Sequence, residues 1–149
     1  MRILALDLGT HTGWALWQDG YESSGTWDLA PARQRRFEGG GMRWVRLGQF
    51  LREIGRVDRV VVEEVRRHAG VDAAHAYGGA LATVTRWCEV NKIPYEGIPI
   101  GTWKKRLCGS GNASKDMVLA AVRMLGFAPS GYDEADAIAV LLFAVEAGL

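Results

Sequence analysis

Three apolar segments, far apart in this chain, each end on or enclose a carboxylate. They are MRILALDLGT with Asp7, RVVVEEV with Glu63 and Glu64, and YDEADAIAVLL with Asp133 and Asp136. Such segments belong inside a fold, and a carboxylate carried inside is costly unless it is paired, hydrogen-bonded or bound to a cation. The pattern constrains the chain to a fold in which the three stretches meet. Meeting, they make a cage of hard oxygen ligands for divalent cations, which points to metal-assisted chemistry on phosphate.

The periodicities say how they meet. Arg2–Leu8 is predicted as a buried strand, with Gly9–Gly13 as a turn that also resembles a phosphate-gripping glycine loop. Trp14–Gln18 and Tyr21–Trp27 are predicted as strands joined by an Asp19-Gly20 hairpin turn. The stretch from Leu29 to about Gly41 reads as a mobile loop, with Pro31 and three consecutive glycines. Met42–Ile54 shows helical spacing, and Arg59–Glu64 is a fourth strand. Asp72–Val90 is a helix with Asp72 as its cap or first-turn acid. Pro94–Ile98 is a fifth strand, Gly101–Leu107 a short helix, Lys115–Leu125 a helix capped by Ser114, and Tyr132–Ala147 the closing helix. An opening meander followed by βαβ units predicts an α/β fold, a mixed sheet with helices on both faces. At 149 residues, one domain over 1–149 is expected.

Strand alternation puts Ile3, Ala5 and Asp7 on one face, with Asp7 near the carboxyl end, where open α/β sheets bind ligands. Glu63 ends its strand at a similar height. Glu64 falls on the opposite face and reads as surface or supporting. Asp133 and Asp136 share a helix face with Ala137 and Val140, although Asp133 also suits the start of a helix on dipole grounds alone. Glu134 is expected in solvent, and His11, His68 and His75 show no metal-ligand spacing. Hard oxygen donors favour Mg²⁺ or Mn²⁺.

Composition excludes several classes. The net charge of +1 carries no global basic signature. The basic residues are clustered, however: Arg33, Arg35, Arg36, Arg43 and Arg46; then Arg66 and Arg67; then Lys104, Lys105 and Arg106. Cys88 and Cys108 show no zinc or disulfide spacing. No Ser-His-Asp or Cys-His set is evident. No signal peptide or membrane span is read, so a cytoplasmic protein is expected.

Taken in order, these motifs resemble the RuvC family of Holliday junction resolvases, in the ribonuclease H-like superfamily, over nearly the whole chain. The strand with Asp7 and Gly9 to Gly13 resembles the family's first motif, and VVEEV its strand ending in a glutamate, registered on Glu63. WKKRLCGSGNASKDMV resembles its lysine, Gly-x-Gly and helix-opening lysine, and DEADAIAV its closing Asp-x-x-Asp-Ala. The resemblance implies a ribonuclease H-like fold with a five-stranded mixed sheet. It implies two Mg²⁺ ions, replaceable by Mn²⁺, on Asp7, Glu63, Asp133 and Asp136, with Lys115 as a further catalytic residue. It implies DNA contacts from Lys104, Lys115, Arg66, Arg67, Arg35 and Arg36. The expected activity is paired hydrolysis of four-way DNA junctions by a homodimer, leaving 5′-phosphates and 3′-hydroxyls, in a bacterial cell or phage-infected host. Compact length and divergent loops resemble phage-type members. Tyr77-Gly78-Gly79-Ala80 suits either a close dimer contact or packing on the chain's own sheet. Leu8 stands where the family usually has proline. Arg66 stands where bacterial members carry an aromatic inserted at the junction, and offers stacking or a phosphate grip instead. A broader flap or RNA–DNA hybrid nuclease would use the same acids. A non-cleaving junction-binding module is the reading from another class.

Overall fold

A computed structural model describes residues 1–30 and 38–149, without the side chain of Glu22. The expected DNA contacts Arg35 and Arg36, with Arg33 and the middle of the expected loop, lie outside the described residues. The elements run β1 (Arg2–Asp7), β2 (His11–Gln18), β3 (Tyr21–Asp28), α1 (Met42–Ile54), β4 (Arg59–Glu64), α2 (Val71–Asn91), β5 (Tyr95–Pro99), α3 (Ile100–Cys108), α4 (Lys115–Met124) and α5 (Tyr132–Ala147). The strands form one five-stranded sheet ordered β3-β2-β1-β4-β5. The meander β1 to β3 is antiparallel, and β4 and β5 join it in parallel to β1.

The period-two alternation of β1 and β4 splits the interior into two layers. Ile3, Ala5 and Val61 pack under α3, α4 and α5, around Trp103, Val118, Ile138 and Leu141. Leu4, Leu6, Val60 and Val62 pack under α1 and α2, around Leu47, Leu51, Val84 and Cys88. Each Leu, Ile or Val among these contributes about 1.5–3 kcal/mol when fully buried. The strand that carries Asp7 is therefore held from both faces, as expected of a strand parallel to its neighbour.

Two features of the meander depart from the sequence reading. The expected turn over Gly9–Gly13 is only Gly9 and Thr10 wide, and β2 already begins at His11. Polar His11 and Thr12 masked the strand. Thr12 is fully buried, but its hydroxyl is satisfied locally by donating to the Gly9 carbonyl at 2.9 Å. Gly13 is accordingly a strand residue, paired with Asp7 on one side and Thr26 on the other. It belongs to no phosphate loop. The Asp19-Gly20 hairpin is as expected, with positive φ at both residues.

Gly13 is what lets α5 reach the sheet. A Cβ there would lie 1.8 Å from the Asp133 carbonyl oxygen, so only glycine admits the helix backbone at this point. Farther along α5, Ala135, Ala137 and Ala144 are fully buried and keep the approach close. Gly79 of α2 plays a similar part elsewhere. Its Cβ would lie 2.2 Å from the Trp44 ring, so Gly79 packs against α1 rather than against the sheet, while Gly78 faces open space.

Candidate functional site

The register of the sheet brings the first two acids together. Leu6 pairs with Val62 between β1 and β4, so Asp7 and Glu63 follow side by side where the strands end. Both share the face of Ile3, Ala5 and Val61, which is the face that α5 covers. Asp7 also pairs with Gly13, and Gly13 carries the peptide of Asp133. One contact thus sets the first turn of α5, with Asp133 and then Asp136, over Asp7. Glu64 falls on the other face, as alternation requires, and accepts a hydrogen bond from Arg66 Nε at 3.1 Å.

The electrostatics record the convergence. Burial raises the Asp7 carboxyl well above its usual range, and Glu63, Asp136 and Asp133 push it further, against Lys115. Glu63 is only 6% exposed. Burial first and Asp136 second, against Lys104 and Lys115, raise it from 4.5 to about 7. Asp136 rises to about 6, again through burial first, with Lys104 opposing and Asp133 adding. Four carboxylates and two lysines therefore lie within electrostatic reach of one another. Lys104, expected on a DNA arm, sits beside the acids themselves.

Two buried groups at this site lack ordinary partners. Glu63 Oε2 and Trp103 Nε1 are both buried without a formed hydrogen bond. The indole nonetheless lies near enough to favour the charged form of Glu63 slightly. An orphaned buried carboxylate oxygen beside three other acids is what a hard cation satisfies. As they stand, no three or more His, Cys, Asp or Glu side chains among the described residues are drawn together tightly enough to hold a metal ion. The four acids are therefore neighbours rather than a closed cage.

Apart from the expected Ser114 cap, the supporting residues were not foreseen. Tyr77 on α2 donates from its hydroxyl to the Glu63 carbonyl at 3.0 Å and accepts from Val65 N at 3.3 Å, fixing the end of β4. Ser114 caps α4 by accepting from Met117 N at 3.2 Å. This presents Lys115 at the helix start, where its Nζ lies 5.8 Å over the Tyr132 ring. The Tyr132 hydroxyl donates to Asp116 at 2.6 Å and ties α4 to α5. Glu134, expected in solvent, is buried at 7% exposure. Burial raises its pKa, but hydrogen bonds from Ser24 and Ser130 outweigh this and lower it overall. A glycine inside a strand and a tyrosine nearly two turns into α2 were the available signals for Gly13 and Tyr77. Nothing in the local pattern marked Glu134.

Arg66 and Arg67 are exposed just beyond β4. With Glu64, Ile100 and Gly101 they line a cavity of about 270 Å³ at the same end of the sheet. His11 lies 3.6 Å from Asp28, and His68 packs on Tyr77, so neither joins the acids.

The raised carboxyls fix the sign of a pH effect. The folded chain holds a proton on Glu63 between about pH 4.5 and 7, and one on Asp136 between 3.8 and about 6, that the unfolded chain has released. Stability without metal therefore falls as pH rises through these windows. From pH 5.5 to 7.5 the expected loss is on the order of 2 kcal/mol, or roughly 5 °C in melting temperature. Mn²⁺ should restore it at pH 7.5. Thermal melts with chelator or Mn²⁺ at the two pH values check this, and a metal-free melting point that rises with pH would contradict it.

No family model matches this chain. The crossover junction endodeoxyribonuclease RuvC of Nitratidesulfovibrio vulgaris is 30% identical, the match covering 94% of this chain and 87% of that protein. Thermus thermophilus RuvC superposes with a TM-score of 0.71 at 26% identity, covering 99% of this chain and 97% of that one. In its complex with a Holliday junction substrate the TM-score is 0.79 at 24% identity, covering 99% and 94%. The yeast mitochondrial Holliday junction resolvase Ydc2 shares the fold at a TM-score of 0.58 and 12% identity, over 93% and 76%. The mixed sheet is thus of the ribonuclease H-like, RuvC type, and its acids gather where two parallel strands end. With an identity of that extent along nearly its whole length, the chain belongs to the RuvC family of crossover junction endodeoxyribonucleases.

Proposed function

We propose that this chain is a metal-dependent endonuclease that resolves four-way (Holliday) DNA junctions by paired phosphodiester hydrolysis. It acts as a homodimer, with residues 1–149 forming one nuclease domain in each subunit. The observation that carries the reading is the meeting of Asp7 and Glu63, side by side at the strand ends, with Asp133 and Asp136 under one close-packed helix. Family membership supports the substrate. No helix among the described residues is long and apolar enough to cross a membrane. We place the protein in the cytoplasm of a bacterial or phage-infected cell.

The family brings a divalent-metal requirement. Mg²⁺, two ions per site and replaceable by Mn²⁺, is the specific proposal, held by Asp7, Glu63, Asp133 and Asp136. Bound there, the metal polarises the phosphodiester and lowers the pKa of an attacking water. The protein's own residues do the rest. With all four acids ionised, the two lysines leave the cluster anionic, a charge that bound cations would offset for a DNA phosphate. Lys115, at a helix start beside the acids, holds the phosphate to be cut. Trp103 and the α5 layer keep water from the inner side of Glu63. Lys104 steadies the charged forms of Glu63 and Asp136 and contacts DNA there. Arg66 and Arg67 grip the backbone beyond the cut, and Arg35 and Arg36 are proposed to extend that grip.

Lys115→Ala should lower cleavage about 10²-fold while changing stability by less than about 0.5 kcal/mol, since the side chain is exposed. Arg66→Ala and Arg67→Ala should instead weaken junction binding in Ca²⁺ and reduce the slope of log affinity on log salt by about one each. Single-turnover cleavage and binding titrations across salt separate the two classes.

The test of the reading is a labelled four-way junction beside duplex, flap, fork and RNA–DNA hybrid in Mg²⁺ and Mn²⁺. Paired, symmetrical nicks in the junction are expected. Equal cutting of flaps and forks would make it a general branched-DNA nuclease. Cutting of the hybrid in preference would move it to that substrate class. Binding without cutting would leave a junction-binding module.

A further inference from the structure

A fifth acid lies beside the metal-ligand candidates and is turned away from them. Glu134 follows Asp133 on α5, and neighbouring helical positions point roughly 100° apart. One turn therefore shows Asp133 to Asp7 and Glu134 to β3. Glu134 Oε1 accepts from Ser24 Oγ at 2.6 Å. Its Oε2 accepts from Ser130 N at 2.8 Å and Ser130 Oγ at 2.7 Å. Ser24 is held in turn by Tyr21, whose hydroxyl lies 2.8 Å from Ser24 Oγ. The Tyr21 ring meets Phe127 edge-on at 5.0 Å.

This network ties down a helix start that has no side-chain cap. α5 begins on Gly131, which has no side chain to satisfy the first turn. Glu134, three residues on, reaches back to the backbone N–H of Ser130, one residue before the cap. Its other oxygen crosses to the edge strand. We propose that Glu134 is a positioning residue for the metal centre: by tying the first turn of α5 to Ser24 and Ser130, it keeps the Asp133 peptide seated on Gly13 and so sets Asp133 against Asp7. The inference rests on the metal-centre reading above. Glu134 acts through geometry and not through its charge. The side chains that perturb Asp7, Glu63 or Asp136 are Glu63, Asp133, Asp136, Lys104, Lys115 and Trp103; Glu134 is not among them.

Supporting residues of this kind shift metal affinity about 10- to 100-fold when removed. The experiment is Mn²⁺ binding without DNA at pH 7.5, followed by electron paramagnetic resonance and calorimetry, for the parent, Glu134→Ala, Glu134→Gln and Ser24→Ala. Glu134→Ala should bind Mn²⁺ at least about 10-fold more weakly. Glu134→Gln should recover most of the loss, because an amide can accept from Ser130 N and donate to Ser24 Oγ. Ser24→Ala should fall between them. Parent-like affinity in Glu134→Ala overturns the proposal. Equal losses in the Ala and Gln variants overturn it too, because charge and not geometry would then be the cause. If Glu134→Ala does not fold, Ser24→Ala decides: unchanged Mn²⁺ affinity overturns the proposal. No Mn²⁺ binding by the parent would overturn the metal-centre reading and this inference with it.

Discussion

Asp7→Asn should make the metal-free protein more stable at pH 7.5 while removing about 10³-fold or more of its cleavage rate, roughly 4 kcal/mol of barrier. The two effects have one cause. Asp7 is driven upward by burial and by three neighbouring acids, so its ionised form is a strain that folding maintains. Asparagine keeps the shape and removes the charge. The stability gain should show as a higher melting temperature in a thermal melt. The gain should shrink at pH 5.5, where more of the acid cluster is already protonated. Stability sacrificed at a site for its function is a general pattern, and here it has a named residue. An Asp7→Asn protein that is less stable than the parent at pH 7.5 in chelator would contradict the electrostatic account. One that still cuts would remove Asp7 from the chemistry.

Gly13→Ala should do the largest structural damage of any single methyl group in this chain. The new Cβ would lie 1.8 Å from the Asp133 carbonyl oxygen and 2.4 Å from its carbon. These are backbone atoms of a helix whose far side is packed into the interior, so neither partner can swing away. Either β2 or the start of α5 must shift, and both carry the site. A destabilisation above about 3 kcal/mol is expected, with cleavage lost even where folded protein is recovered. Gly48→Ala is the control. It lies within α1 with nothing within 4 Å of the added methyl. It should gain up to about 1 kcal/mol from helix propensity. Denaturant melts of the two variants beside the parent check both signs. A Gly13→Ala protein of parent-like stability would mean that α5 does not rest on Gly13.

The parts of this molecule that were legible in its sequence are those where one periodicity decides the outcome. β4 runs Arg59–Glu64 as read, because an unbroken apolar run ends there on a charge. Alternation along that strand correctly separated Glu63 from Glu64, and α1 and α5 keep their expected bounds. The start of β2 was missed because Thr12 looks polar and yet is fully buried with its hydroxyl bonded locally. Glu134 was misplaced for a related reason. Its partners Ser24 and Ser130 are distant or unremarkable in sequence, and a helix-start acid is normally solvated. Gly79 looked like a contact for the sheet or a second subunit, but it is spent on Trp44, a pairing of two helices that no local pattern encodes. The same limit applies to Lys104. Its place beside Glu63 and Asp136 depends on how α3 docks, and a run of basic residues gives no hint of that.

The central claim is that acids from two strand ends and one helix hold divalent metal together. The most direct measurement is anomalous diffraction from crystals of the protein soaked in Mn²⁺, with Asp7→Asn crystals treated alike. The account predicts Mn²⁺ peaks between Asp7, Glu63, Asp133 and Asp136, with Glu63 Oε2 among the ligands, lost or weakened in Asp7→Asn. Density for Mn²⁺ elsewhere only, or none at this cluster while the four carboxylates stay apart, would contradict it.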